Sequence, residues 1–446
     1  MRVEKAKTVA LVILVTSSLL MSGWLWLGVG GAALAPPTPL GAERATRLEG
    51  PSLRELTAPE RMIIRRAGGA VYAYPGSTVY ERIWEDGRLA ALVVAASEER
   101  IQRQELDPDE LQRLREETVE IVLPVRLSWS SWLLLWGGSG IRGVGPAVDR
   151  LSIALQDPTR VVAWAAGERE VVTMRLPVVP DYVARLLGDA ELPAGLPARP
   201  LQVSSEVSLL SGIYVPDIPS VPRVICRTAR VDPEEMAASF FVDRSLVRRI
   251  VEKDGAVIYT DGQQGLRVYP SGMLEYCAAL PQADPGLPQL GAALRQLCDF
   301  ASTHGRCPPG CFLAQVSIMG GLPAHQGYSF VFGMRCAGLP VLGPRAALEA
   351  TVGPYGVRTY VRYLRELEVH QSRLPLILAA EEAVHLALEV TENPHAQVVD
   401  VYLAYYDPSA PTWERQLRVV WVVAFAGGRT VLVDARDGTI WDGGPR

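Results

Sequence analysis

The chain has 446 residues, of which 48% are hydrophobic and 21% charged, and its net charge is −5 at pH 7. These values predict a chain that folds around sizeable cores, with room for roughly two to four domains. The acidic balance argues against nucleic acid as a partner, because nucleic-acid-binding proteins present basic surfaces.

The N-terminal part of the chain contains one uncharged, apolar run, Thr8–Ala35. A helix needs about 20 apolar residues to cross a bilayer, so this run is long enough to span one. Arg2, Lys5 and Lys7 precede it. The positive-inside rule therefore predicts a cytoplasmic tail at residues 1–7 and places the bulk of the protein outside the cell membrane.

A cleaved signal peptide is the alternative, because Ala33-Leu34-Ala35 has the form of a cleavage site. The apolar run is longer than a signal core, and Pro36 follows the site. We therefore expect an uncleaved, single-pass anchor at residues 8–35.

Two pairs of small residues lie at i,i+4 spacing inside this anchor, Ser18 with Ser22 and Gly28 with Ala32. Such pairs let two helices approach closely in lipid, which predicts that this face contacts a partner helix. Serine and glycine are common enough that chance explains each pair equally well.

The predicted elements outside the membrane indicate an α+β protein. Residues 36–51 are rich in proline, glycine and alanine and are predicted to be a linker, followed by an N-terminal mixed domain at 52–200. A strand is predicted at Ala70–Pro75, another at Thr118–Pro124, and a helix capped by Asp107 between them. The apolar run Leu127–Trp136 is too short to span a bilayer and is interpreted as core, with a docking surface as the alternative.

Six prolines between residues 193 and 222 indicate a domain boundary, with a linker at 201–225. A middle α+β domain at 226–345 and a C-terminal domain at 346–446 follow. Each is predicted to be an antiparallel sheet with one packed helix, the helices opening at Leu287-Pro288 and Leu374-Pro375 about 87 residues apart.

All six cysteines lie between Cys226 and Cys336. An even number of cysteines outside the membrane favours disulfides, and Cys307 with Cys311 is the closest pair. Free buried thiols and a metal site with His304 are the alternatives, although this spacing matches no known zinc module.

Other motifs name no catalytic group. Gly138–Gly143 matches G-x-G-x-x-G, but a strand rather than a helix is predicted after it, so we interpret it as a loop. Glu382 and His385 form one E-x-x-H pair, interpreted as a solvated helix face, and Asp434 with Asp437 suit a turn. We expect neither a cofactor nor a metal, and no enzyme activity.

One block resembles the YycH family. It comprises Phe240–Ile250 (FFVDRSLVRRI), Ile258–Gly262 (IYTDG) and Gly265–Val268 (GLRV). The C-terminal stretch Val433–Ile440 (VDARDGTI) looks like the closing hairpin of YycI and of PepSY-like modules. The residues of the block favour strands and turns, so it indicates a fold and a family and no catalytic residue.

The resemblance implies a membrane-anchored regulator of an essential sensor histidine kinase, WalK/YycG, which controls cell-wall metabolism. It also implies a YycI-like single-pass partner and contact through the anchor and the outer domains. We expect restraint of the kinase, although relatives exist that activate it. The alternative is a cell-envelope binding module for a peptide or wall fragment, which would need a groove with grouped aromatics or arginines.

Overall fold

The computed structural model describes the chain from residue 52 onward, except for residues 67, 87–88, 100, 139–144, 180–182, 186–194, 230, 280–285, 306, 321–325, 392, 394, 409–412 and 446. The chain divides into two compact units, Met1–Leu48 and Glu49–Arg446. The predicted anchor at Thr8–Ala35 and the pairs Ser18/Ser22 and Gly28/Ala32 lie outside the described residues. No helix within the described part is long and apolar enough to cross a membrane.

The fold is mixed α+β and rich in sheet, as the sequence predicts. Its described α-helices are short, and most lie between strands. They are α1 Leu53–Leu56, α2 Thr78–Glu81, α3 Leu89–Glu99, α4 Pro108–Leu114, α5 Trp129–Leu135, α6 Pro233–Phe240, α7 Leu290–Thr303 and α8 Ala380–Glu389. Asp107 caps α4 in a capping box with Glu110, which confirms the predicted start of that helix.

An antiparallel sheet of nine strands forms the N-terminal part of the unit. Its strands are β1 Arg61–Arg66, β2 Gly69–Ala73, β3 Ile101–Glu105, β4 Thr118–Ser128, β5 Ala147–Ala154, β6 Arg160–Trp164, β7 Glu170–Arg175, β8 Leu196–Pro200 and β9 Tyr214–Pro216. Their order is β3-β7-β6-β5-β4-β1-β2-β8-β9, so β4 and β1 lie near the centre.

A small sheet of three antiparallel strands follows in the order β20-β10-β22. These strands are β10 Ser220–Thr228, β20 Arg365–Pro375 and β22 Glu414–Gln416. The proline-rich stretch 201–225 thus contains β9 and the start of β10. Proline cannot donate to a ladder, and Pro222 accordingly lies at an irregularity in the β10–β20 register.

The largest sheet has 13 strands. They are β11 Arg248–Val251, β12 Val257–Thr260, β13 Gln264–Val268, β14 Met273–Ala278, β15 Cys311–Met319, β16 Gly327–Cys336, β17 Leu339–Leu342, β18 Leu348–Gly353, β19 Gly356–Tyr363, β21 Val398–Tyr406, β23 Arg418–Phe425, β24 Arg429–Asp434 and β25 Ile440–Pro445. Its order runs β11-β12-β13-β14-β19-β18-β16-β17-β21-β23-β24-β25, with β15 paired to β16. β17 pairs with β21 in parallel, and the other strand pairs of the described part of this sheet are antiparallel.

The predicted boundary between residues 345 and 346 falls inside this sheet. β16, which precedes it, pairs with β18, which follows it. The described residues belong to a single compact unit from Glu49 onward. The division into separate domains at 52–200, 226–345 and 346–446 stays a prediction.

Apolar helix faces pack onto the sheets to make the core. α7 buries Ala293, Leu294 and Leu297 against β18 and β19. The run Leu127–Trp136 forms the end of β4 and α5, whose Trp129 and Trp132 are 1% and 0% exposed. This confirms the core interpretation of that run.

The predicted openings of the two repeat helices are wrong by a few residues. α7 begins at Leu290, beyond Pro288, and α8 begins at Ala380, beyond Pro375. Leu374 and Pro375 instead end β20. Leu374 and Pro375 pair with β10 and stay extended, so α8 begins later along the chain than predicted.

Two glycines with positive φ provide a matched test of backbone crowding. Gly310 has φ +73°, and a Cβ there would lie 2.6 Å from the Arg335 backbone oxygen, whereas Gly262 has φ +90° and nothing within 4 Å. Alanine is strained by the left-handed backbone conformation at both sites, but the crowding occurs only at residue 310. We expect Gly310→Ala to lower the free energy of unfolding by about 1–3 kcal/mol more than Gly262→Ala, as measured by urea titration. Equal losses of unfolding free energy in the two variants would show that the backbone at Arg335 moves aside without a measurable cost.

Candidate functional site

The residues singled out by sequence form no common site in the described part of the structure. Glu382 and His385 are exposed on α8, and the Glu382 carboxylate accepts from the Ala379 N–H at the helix start. This confirms the interpretation as a solvated helix face. Gly138 follows α5 and β5 comes next along the chain, while residues 139–144 lie outside the described residues. No group of metal-ligating side chains occurs among the residues that the structure describes.

Asp434 and Asp437 form the predicted turn. The Asp434 carboxylate accepts from the Arg436 N–H at 2.8 Å, and the Gly438 N–H donates to the Asp434 backbone oxygen. Arg418 contacts both carboxylates. The pair therefore shapes a terminal hairpin.

The cysteines are all free thiols in the structure. Cys307 lies in the loop after α7, and Cys311 begins β15. The disulfide between them stays a prediction.

A buried network of arginines and carboxylates joins the nine-stranded sheet to β21 of the largest sheet. Glu120 on β4 is fully buried and contacts Arg65 at 2.6 Å, Arg115 at 3.2 Å and Arg150 at 2.5 Å. Arg150 continues to Asp400 on β21 at 2.8 Å. A charge inside a protein is tolerated only when it is paired, so these contacts fix how the two sheets meet.

Arg61 completes this network from β1. Its guanidinium contacts Glu60 and Asp400, each at 2.5 Å, and lies 4.4 Å from the centre of the Tyr402 ring. Tyr402 and Asp400 belong to the same strand, so Arg61 holds β21 by an ion pair and by a cation–π contact.

Burial and charge compete at the centre of the network. Burial alone would raise the pKa of the Glu120 carboxyl, but Arg115, Arg65 and Arg150 outweigh it and hold that pKa well below its usual range. Burial lowers the pKa of Arg115 to about 10. The attraction of Glu120 opposes this shift, whereas repulsion from Arg65 and Arg150 adds to it. The ionised carboxylate is thus the group that keeps three guanidinium groups together.

A narrow cleft opens beside this network. It lies between the β4–β5 pair and the strands β21 and β23, and its lining includes Leu123, Arg126, Asp149, Arg150 and Phe425. The β4–β5 ladder shifts register between Val122 and Leu127, which leaves this stretch of β4 bulged at the cleft. Arg150 Nε lies 3.7 Å from Asp149 Oδ1, beyond hydrogen-bond distance.

The open end of the largest sheet carries an exposed apolar surface. Among the residues that the structure describes, β11 ends the sheet order and pairs with β12 alone, and all four residues of β11 are exposed. Val242 is 79% exposed, Leu246 69%, Ile250 49% and Val251 57%. We call these four residues the edge surface. An open strand edge with exposed apolar side chains favours pairing with another chain.

His304 lies at the C-terminal end of α7 and contacts α6, the helix that precedes the edge surface along the chain. Its ring stacks on Phe240 of α6 with centroids 4.2 Å apart and lies 4.3 Å from Phe300. Burial among these rings lowers the pKa of His304 to about 4. The imidazole is therefore neutral at pH 7.

This histidine predicts a loss of stability in weak acid. An unfolded histidine has a pKa of about 6.5, so between about pH 6.5 and 4 the unfolded chain binds a proton that the folded chain does not. We expect the free energy of unfolding to fall by up to about 2–3 kcal/mol across this window, as measured by urea titration at several pH values. His304→Gln should flatten the fall, whereas His385→Gln, an exposed control, should leave it unchanged. An unchanged fall in His304→Gln would contradict this assignment.

Comparison with solved structures identifies the fold. The crystal structure of YycH from Bacillus subtilis aligns with a TM-score of 0.58 and 13% sequence identity, covering 88% of this chain and 97% of that one. The chain has a YycH-like fold. An uncharacterized protein from Eubacterium rectale aligns at a TM-score of 0.35 and 10% identity, over 55% of this chain and 93% of its own. No protein-family model and no curated protein sequence matches the chain.

Within this YycH-like fold, the sequence block of the resemblance builds the open end of the largest sheet. Phe240 ends α6, Asp243 caps the short 3-10 helix Arg244–Leu246, and β11 follows. Asp261 accepts from the Gln263 and Gln264 N–H groups in the turn between β12 and β13. The block and the edge surface are therefore the same region of the molecule.

The buried network was missed by sequence reasoning. A signal for it exists, since Glu120 and Asp400 each lie between buried apolar residues of a strand. A charged residue in such a strand needs a partner. The sequence does not show which partner, because the pairing is set by the meeting of two sheets.

Proposed function

We propose that this chain is a membrane-anchored, extracytoplasmic regulator that restrains a sensor histidine kinase of the WalK/YycG type, and that it acts by protein contact without catalysis. The observation that supports this proposal is the YycH-like fold, which extends over 88% of this chain and 97% of the Bacillus subtilis protein. The block that resembles YycH in sequence lies at the exposed end of the largest sheet, where a partner can reach it.

The proposed mechanism uses two contacts. The Thr8–Ala35 helix packs against membrane helices of the kinase or of a YycI-like protein, with Ser18, Ser22, Gly28 and Ala32 at the interface. Outside the membrane, the edge surface docks on a partner. A bound partner shifts the equilibrium between two conformations of the kinase only if it binds them with different affinities. The conformation that it binds more tightly decides whether the kinase is restrained or activated.

A pull-down from membranes tests the proposal. The tagged full-length chain is compared with a version that lacks Met1–Ala35, and bound proteins are identified by mass spectrometry. We expect a sensor histidine kinase and a second single-pass protein to be recovered with the full-length chain only. Recovery of neither, together with unchanged kinase output when the gene is deleted, would refute the regulator proposal.

A second candidate function rests on the cleft beside Arg150. Its lining combines two arginines, Arg126 and Arg150, with the aromatic Phe425, which is the grouping expected of a binding module for a peptide or wall fragment. Calorimetric titration of the extracytoplasmic part with peptide and muropeptide pools tests it. Binding that is lost in Arg126→Ala, without recovery of a kinase in the pull-down, would favour this second function.

A further inference from the structure

β11 differs from the other strands that end the described sheets in how little protects it from pairing. Proteins protect open edges with proline, bulges, charged side chains or very short strands. Among those other strands, β9 and β25 contain proline, β22 has three residues, the β20–β10 ladder has a register shift, and β3 is mostly polar. β11 pairs with β12 without a register shift, contains no proline, and exposes Ile250 and Val251 beside its two arginines. Its edge is therefore open to another strand.

The hairpin that joins β11 to β12 shows which backbone groups face the open edge. The Glu252 N–H donates to the Ala256 oxygen at 2.8 Å, so these two residues form a hydrogen-bonded pair. Hydrogen-bonded and non-hydrogen-bonded pairs alternate along an antiparallel ladder, and the β11–β12 register is continuous. Ile250 therefore bonds to β12, whereas the N–H and C=O groups of Arg249 and Val251 point away from it. The open edge thus presents two donors and two acceptors.

A second copy of β11 fits this edge in an antiparallel register. When the two-fold axis passes beside Ile250, the outward groups of Arg249 in each copy meet those of Val251 in the other. Each of these two pairs exchanges two backbone hydrogen bonds, so all the outward groups of both residues are used. The same register places the two Ile250 side chains opposite each other and Arg248 opposite Glu252 of the second copy. An apolar pair is thus flanked by two pairs of opposite charge.

Charge favours this register over its two neighbours. Centring the pair on Arg249 would place the Arg249 side chains of the two copies opposite each other, and centring it on Val251 would place Arg249 opposite Lys253. Like charges that are directly opposite destabilise a strand pair, whereas opposite charges and apolar pairs stabilise it. Glu252 also contacts Arg267 at 2.5 Å within its own chain, which holds its carboxylate on the face that Arg248 of the second copy reaches.

We propose that the edge surface is a contact between two copies of this chain, in which their β11 strands form an antiparallel pair centred on Ile250. The largest sheet then continues from one copy into the other. Val242 and Leu246, which precede β11 along the chain, add exposed apolar area beside the contact. The inference rests on the proposed function only in naming the partner that covers the edge surface. The pull-down tests the kinase and the experiments below test the second copy, so each proposal can fail alone.

Disulfide trapping tests the register. Residues opposite each other in a non-hydrogen-bonded pair have Cα atoms about 4.5 Å apart, a separation that a disulfide spans. The full-length chain carries Cys277→Ser, which removes an exposed natural thiol, and copper phenanthroline is the oxidant. We expect Ile250→Cys to form a linked dimer at least about tenfold faster than Ile377→Cys, an exposed control, because pairing raises the effective concentration of the thiol. Peptide mapping should place the bond at residue 250 of both copies. Equal rates, or a bond elsewhere, would overturn the proposal.

Proline and alanine at residue 251 provide a matched test of the backbone hydrogen bonds. Proline lacks the N–H that Val251 presents to the second copy, and the ladder with β12 does not use that N–H. Alanine shortens the side chain but keeps the N–H. We expect the Kd of the dimer to be at least about tenfold higher for Val251→Pro than for Val251→Ala, because each dimer loses two backbone hydrogen bonds. Analytical ultracentrifugation of the full-length chain in detergent measures the Kd. Equal Kd values in the two variants, or a monomeric wild type, would contradict pairing through β11.

Discussion

Replacing Glu120 by glutamine should lower the free energy of unfolding by about 3–5 kcal/mol, the range found when one partner of a buried ion pair is removed. The carboxylate contacts three guanidinium groups, those of Arg65, Arg115 and Arg150, and its side chain is 0% exposed. Glutamine keeps the shape of the side chain but leaves positive charges uncompensated in a water-excluded region. Urea titration at pH 7 measures the loss.

The control for this change is an exposed ion pair on the same sheet. Arg126 and Glu168 lie 2.7 Å apart with side chains 35% and 54% exposed. Water already solvates both groups, so Glu168→Gln should cost less than about 1 kcal/mol. A loss below 1 kcal/mol in Glu120→Gln would show that water or rearrangement compensates the arginines.

The same carboxylate sets the acid limit of stability. Its folded pKa is depressed, so its stabilising contribution is fully present above the unfolded carboxyl pKa of about 4.3 and is lost as the pH falls toward the folded value. Glu120→Gln should therefore remove part of the stability loss that the wild type shows below about pH 4. This window lies below that of His304, so the two contributions are separable.

If the edge surface docks on a partner as proposed, charges placed on it should lower capture of that partner by tenfold or more. Val242 and Leu246 are 79% and 69% exposed, so Val242→Asp with Leu246→Asp leaves the core intact and keeps the free energy of unfolding within about 0.5 kcal/mol. A buried apolar contact at the centre of an interface is worth about 2 kcal/mol or more, and two such contacts account for the expected effect. Quantitative pull-down from membranes measures it.

Ile377→Asp is the matched control, because Ile377 is 67% exposed and lies away from the edge surface. It should capture the partner as the wild type does. Equal capture by the edge variant and the control would exclude the edge surface as the docking site and would leave the proposed anchor contact as the remaining candidate. Equal loss in both would indicate a general effect of added negative charge.

Local pattern and turn chemistry predicted much of the secondary structure. β4 begins at Thr118, as predicted, and β2, Gly69–Ala73, overlaps the predicted strand at Ala70–Pro75. Alternation of side chains and flanking turn residues are properties of a few neighbouring residues, so one sequence reveals them. The helix start after Pro375 was misplaced, because the extended conformation there depends on β10, which is more than 140 residues away.

The candidate site was only partly predictable. The block Phe240–Val268 was singled out, but its position at an open edge depends on which strand ends the sheet. The buried network depends on the pairing of Arg61 with Asp400, which are 339 residues apart. Such a pairing is decided by how two sheets pack, and the residues near either partner contain no trace of it.

The distance along the chain between Arg61 and Asp400 also determines the order in which the protein can fold. Arg61 and Arg150 emerge during synthesis long before the carboxylate that both require. Until β21 is made, Arg61 has Glu60 and Arg150 has Glu120 as partners, but Arg61, Arg65, Arg115 and Arg150 outnumber these two carboxylates. We therefore expect the N-terminal sheet to remain incompletely folded on a nascent or truncated chain that ends before residue 400, and folding to be completed only when about the last tenth of the protein is available.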